Sequence, residues 1–172
     1  MTSALQIRPI ADQDRAEVLE IARELVTAAD TYAFEPDIDD ESLWRYWNPQ
    51  EPRSGGYVAS MGQKVVGVFV IKPNHPGPAG HVANASYAVG VRARGRGVGR
   101  QMGEASLRCA VELGYLAMQF NIVISTNQAA IRLWESMGFQ IVGTIPRGFR
   151  HKDGRLVDHH IMHRSLLGVS GV

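Results

Sequence analysis

Residues 91–102, VRARGRGVGRQM, crowd four arginines and three glycines into twelve positions, between the alternating run HVANASYAVG and a helical pattern. A glycine-rich turn that joins a strand to a helix N-terminus aims several backbone N–H groups at one spot, where the helix dipole also favours an anion. Such a turn can cradle phosphate. Gly95, Gly97 and Gly99 would let the backbone approach a diphosphate, with Val91 and Val98 flanking, while Arg94, Arg96 and Arg100 could add charge-assisted contacts. On the residues alone, an ordinary turn with solvated arginines fits the segment equally well. A dinucleotide-binding fold is a poor match, because position 100 of the would-be G-x-G-x-x-G is arginine and the strand YLAMQFNIVIS ends without a carboxylate. The GK[ST] of a Walker loop is absent, and an arginine-glycine RNA-binding tail would be repetitive and disordered.

The surrounding pattern alternates strands and helices. LQIRPI reads as a first strand, and Val18, Ile21, Ala22 and Leu25 at helical spacing predict a helix over residues 15–28. After the aromatic loop DTYAFEPDIDD come a short helix, ESLWRYW, and a hairpin in which GYVAS and KVVGVFVIK flank the turn MGQ. HVANASYAVGV is a strand, 97–113 a helix, YLAMQFNIVIS a strand, NQAAIRLWESMG a helix, and FQIVGTI and VDHHIMHRSL two closing strands. This order predicts an α/β fold with a mixed sheet. At 172 residues one domain over 1–172 is expected. A formal charge of +1 gives no global field toward nucleic acid or an anionic membrane, so neither is expected as a partner. A single cysteine and an N-terminus without a charged and then apolar leader point to the cytoplasm.

The segment RARGRGVG contains Arg94-x-x-Gly97-x-Gly99, which resembles the acetyl-CoA loop of the GCN5-related N-acetyltransferases, and NQAAIRLWESMGF resembles that family's following N-x-x-A/S-x-x-L-Y-x-x-x-G-F. Two such motifs in order are more specific than either alone. Within the family, IKPNHPGPAGHVANAS and QFNIVISTN are similar to enzymes that N-acetylate azetidine-2-carboxylate and other proline analogues. TYAFEP and FRHKDGRLVDHHIM are similar to phosphinothricin-type acetyltransferases. The resemblance implies a mostly antiparallel seven-stranded sheet with helices on both faces and splayed central strands. It also implies an N-acetyltransferase that uses acetyl-CoA and a small amino-acid-like or imino-acid acceptor, and a homodimer.

Site residues follow from the same resemblance. Residues 91 and 94–100 and Asn127 would hold the cofactor, Asn127 doubling as a helix N-cap. A backbone N–H at Ala88 or Val89 would meet the thioester oxygen. Asn84 and Asn121 would hold a substrate carboxylate, although each could instead satisfy neighbouring backbone at a bulge. Tyr32 and Phe34 would form walls, with Glu35 facing the amine. Trp134 stands where many relatives carry an acidic tyrosine, and an indole N–H cannot serve as that acid. Trp134 is therefore read as packing, with Tyr87 or Ser125 as weak acid candidates.

The base is unassigned. Neither central strand carries Asp or Glu, and His75 and His81 lie at a loop margin, which leaves a water on main-chain carbonyls. The histidines of DHHIMH alternate across a strand, so no metal is expected. The alternatives are a protein N-terminal acetyltransferase, a catalytically idle acyl-CoA-binding domain and an RNA-binding domain.

Overall fold

The computed structural model describes residues 4–168. Seven strands form one sheet in the order β1-β2-β3-β4-β5-β7-β6: β1 Leu5–Pro9, β2 Gly55–Met61, β3 Lys64–Pro73, β4 Val82–Val89, β5 Ala117–Ile124, β6 Gln140–Arg150 and β7 Leu156–Ser165. All neighbours run antiparallel except β4 and β5. The helices are α1 Arg15–Ala28, α2 Asp40–Trp47, α3 Val98–Glu112 and α4 Gln128–Ser136.

Strand β3 shows how two faces are covered. Val68 and Val70 enter a cluster with Val18, Ile21 and Leu25 of α1 and Leu43 and Trp47 of α2, whereas Phe69 and Ile71 enter one with Met102 and Ala105 of α3 and Trp134 of α4. All four β3 residues are fully buried, which explains the unbroken apolar run VVGVFVI. Each such side chain contributes about 1.5 to 3 kcal/mol on burial.

Local signals set the helix ends. α1 stops where Ala29 turns left-handed, at φ 46°, and returns its N–H to Leu25. Asp39 opens α2 by accepting the Ser42 N–H at 2.8 Å. At the other edge of this layer the Arg8 guanidinium grips Asp14 through two contacts of 2.7 Å, holding that buried carboxyl below its ordinary range.

β6 is longer than FQIVGTI predicts. It resumes pairing at Phe149 after an irregularity that spans Pro146, where an N–H is missing from the ladder. Arg147, at φ 52°, gives its N–H to the Asp158 side chain at 2.8 Å and so closes the bulge. Among the described residues no helix is long and apolar enough to cross a membrane.

Candidate active site

The site begins where the parallel pair fails. β4 and β5 pair only from Val82↔Ala117 to Asn84↔Gln119, and beyond that point β5 keeps its bonds to β7 alone. The Asn84 side chain donates to the Gln119 carbonyl at 3.0 Å, bridging the last rung. A cleft of about 830 Å³ opens above it, lined by both strands, the α1–α2 loop, α4, Arg94 and His151.

Strand parity decides which main-chain groups face this gap. The Asn74 N–H bonds the Val82 carbonyl and the Gly90 N–H bonds Val66, so even-numbered residues turn toward β3, while the His81 carbonyl meets the Leu116 N–H on the β5 side. Ala85, Tyr87 and Val89 therefore turn their N–H and C=O into the gap. This separates the two residues expected to meet the thioester oxygen. Ala88 is corrected, because its N–H points to β3, and Val89 faces the cleft. The Val89 carbonyl already accepts from Arg94 Nε at 3.2 Å.

Tyr87 is filled from elsewhere. The Tyr32 hydroxyl accepts the Tyr87 N–H at 2.7 Å and donates to the Tyr87 carbonyl at 2.8 Å, replacing in one residue both bonds that β5 no longer makes. Burial raises the Tyr32 pKa well above its ordinary value, so the hydroxyl keeps its proton. Phe34 stacks on Tyr32 with ring centroids 5.3 Å apart, Tyr46 meets Phe34 edge-on, and the Tyr46 hydroxyl pairs with Ser86 at 2.6 Å.

Tyr32 and Phe34 line the cleft, whereas Glu35, expected to face the amine, does not. Residues 30–34 line the cleft, and the chain leaves it before Glu35, which is exposed. The carboxylate that does line the cleft is Asp30.

Tyr87 does not suit the acid role suggested for it. Its hydroxyl lies 2.7 Å from Ser106 Oγ, whose own proton goes to the Gly103 carbonyl at 2.7 Å, so the Tyr87 proton is committed to α3. Burial also holds its pKa well above the ordinary value. Trp134 packs against Tyr87 and Phe120, each at 4.7 Å, with one edge on the cleft.

Asn121 lines the cleft with its amide engaged, donating to Asn74 Oδ1 at 2.7 Å and accepting from Gln119 at 2.9 Å. Asn127 caps α4 by accepting the Ala130 N–H at 3.1 Å.

The glycine-rich turn follows β4 directly. Gly95 and Gly97 sit at φ 72° and 78°, and Gly97 opens α3 with no side-chain cap, so the first-turn N–H groups of the helix face outward. At Gly97 a β-carbon would meet nothing within 4 Å, and at Gly99 only ordinary contacts with Leu133 and Val89 at 3.7 and 4.0 Å. Nothing in the chain's own packing requires glycine at 99, which fits close approach by a phosphate.

Two expected contacts are already engaged. The Val91 N–H donates to Glu24 at 2.8 Å, and the Arg100 guanidinium reaches Ser136 at 3.1 Å. Among the described residues no group of three or more His, Cys, Asp or Glu could hold a metal.

Comparison with known proteins agrees with this geometry. The N-acetyltransferase aca1 of Schizosaccharomyces pombe is 40% identical over 96 residues, which is 55% of this chain and 43% of that one. The chain spans less than half the length of the curated relatives it matches. A GCN5-related N-acetyltransferase from Kribbella flavida is 42% identical, superimposes with a TM-score of 0.90, and is covered over 98% of its length by 94% of this chain. A structure from Salmonella typhimurium solved with its cofactor acetyl-CoA shares the fold at a TM-score of 0.85 and 24% identity, over 95% of each chain. Residues 19–139, which carry both the uncapped glycine turn and the splayed strands, match the model of the acetyltransferase (GNAT) family, and the chain belongs to that family.

Proposed function

We propose that this protein is an acetyl-CoA-dependent N-acetyltransferase whose acceptor is the amine of a small amino-acid-like or imino-acid substrate. The observation that carries this reading is the gap between β4 and β5, with a phosphate-ready turn on one wall and an aromatic loop on the other. Acetyl-CoA supplies an activated acyl group as a thioester. The outward N–H groups opening α3 and the Arg94 guanidinium would hold its phosphates, and the Val89 N–H would stabilise charge developing on the acyl oxygen. Asp30 would draw in an ammonium group, and the remaining amide hydrogens of Asn84 and Asn121 would orient a carboxylate.

The aromatic loop tied to β4 by Tyr32 supports a small acceptor, because it narrows the wall on which a peptide would lie. Exposed Ile141, Val142 and Ile145 on the edge strand β6 support a homodimer.

Thiol release from acetyl-CoA, measured across amino acids, imino acids, their amides and short peptides, tests the reading. Free acids should be preferred over their amides, and Asn121→Ala should lower kcat/KM for an acid about ten- to a hundredfold. Equal rates on acid and amide, with faster turnover of peptides, would replace the small acceptor with a protein N-terminus.

A further inference from the structure

The β6–β7 turn brings an imidazole to the cleft. His151 lines it, and its place at the base of the turn is set by two main-chain bonds, His151 N–H to the Arg155 carbonyl at 2.9 Å and Gly154 N–H to the His151 carbonyl at 2.8 Å. Its Nδ1 is shut off from solvent and lies 3.3 Å from Asp153 Oδ2, so a small ring rotation completes a hydrogen bond. Asp153 is itself fixed by Arg155, which gives its N–H at 3.0 Å and its guanidinium at 2.7 to 2.8 Å. A carboxylate behind Nδ1 keeps the proton there and leaves Nε2 as the acceptor.

Proton inventory narrows the choice. Among the cleft-lining residues Tyr32, Tyr46 and Tyr87 are held protonated by burial, and an arginine does not deprotonate. Asp30 and His151 are left. A carboxylate is a feeble base toward an ammonium, while an imidazole is the side chain suited to proton transfer near neutral pH.

We propose that His151 is the base that accepts the acceptor amine's proton, with Asp153 as its positioning residue. The inference rests on the acetyl-transfer reading. The ammonium proton passes to His151 Nε2, and the freed nitrogen lone pair forms the C–N bond to the acyl carbon. The C–S bond then breaks with its electron pair on sulfur, and the second proton, shed as the amide forms, goes to the departing thiolate. His151 returns its proton to water. The charged groups around it are Asp153 and, through it, Arg155 on the turn, with Asp30 of the α1–α2 loop and Arg94 of the cofactor turn on the same cleft.

The test is the pH dependence of kcat/KM for the parent, His151→Gln, His151→Ala and Asp153→Asn, with acetyl-CoA affinity measured in parallel. For the parent, kcat/KM should rise through an ionisation in the histidine range. Both His151 variants should fall about a hundredfold at pH 7 and lose that inflection, with acetyl-CoA affinity unchanged. Added imidazole should restore part of the rate to His151→Ala. Asp153→Asn should retain the inflection at a displaced pH with about tenfold lower kcat. An active parent whose His151 variants keep its rate and profile overturns the base. A parent inactive toward every amine overturns the function reading and the base with it.

Discussion

The two walls of the β4–β5 gap are made by different means. The cofactor wall is backbone, with positive φ at Gly95 and Gly97 and an uncapped α3 within a few residues of chain. The acceptor wall is side chains gathered from afar, with Tyr32 reaching Tyr87 across 55 positions and His151 arriving on the β6–β7 turn. A backbone site tolerates changes of side chain around it but not of its dihedrals. A side-chain site is the reverse, and its members can be retuned one by one.

The largest effect expected from this contrast is at Gly97. Valine there meets no neighbour, so the core stays intact, but a β-branched residue at φ 78° is strained and its methyls fill the space outside the helix N-terminus. Turnover by Gly97→Val should drop by at least about a hundredfold at fixed acetyl-CoA, with an unchanged circular dichroism spectrum. Parent-like turnover would show that the cofactor wall does not depend on its backbone.

Tyr32→Phe probes the opposite wall and should cost less. It removes one hydroxyl and two hydrogen bonds, freeing the Tyr87 N–H and C=O into a cleft where water can reach them. The acceptor KM should rise about tenfold, the equivalent of roughly 1.4 kcal/mol. A rise in the acetyl-CoA KM instead would mean that Tyr32 serves the cofactor wall, and the division would blur.

Asp14→Asn lies outside both walls and should leave kinetics alone. The Asp14 pKa is lowered, chiefly by its bond to Arg8, so its stabilising effect is present at neutral pH and fades as pH falls below about 4 through the depressed folded value. Melting temperature should fall by a few degrees at pH 7, with the gap to the parent closing in acid. A constant gap across pH would contradict the ion pair.

The same contrast explains what could be read in advance. α1, the Asn127 cap and the glycine turn are local signals, spelled by residues near each other in sequence, and the structure has them where periodicity and capping predict. The choice of Val89 over Ala88 needed the β3 register, which no single segment encodes. The position of Glu35 outside the cleft depends on where Tyr32 and Phe34 dock, on Tyr87 and Tyr46, which the loop's own residues do not reveal. Tyr87 reads as a proton donor from its own segment alone, but its hydroxyl is hydrogen-bonded to Ser106, nineteen residues away. His151 lies within FRHKDGRLVDHHIM and Asp30 just ahead of TYAFEP, but nothing in either segment marks the residue as one that reaches the cleft, because the α1–α2 loop and the β6–β7 turn meet there only in the fold.

Calorimetric titration of acetyl-CoA into the parent, Gly97→Val and Tyr32→Phe tests the division of labour most directly. The parent should bind, Tyr32→Phe should bind within about threefold of it, and Gly97→Val should lose at least about a hundredfold in affinity, roughly 2.7 kcal/mol. A Gly97→Val protein that binds as tightly as the parent, or a Tyr32→Phe protein that loses acetyl-CoA, would contradict the account.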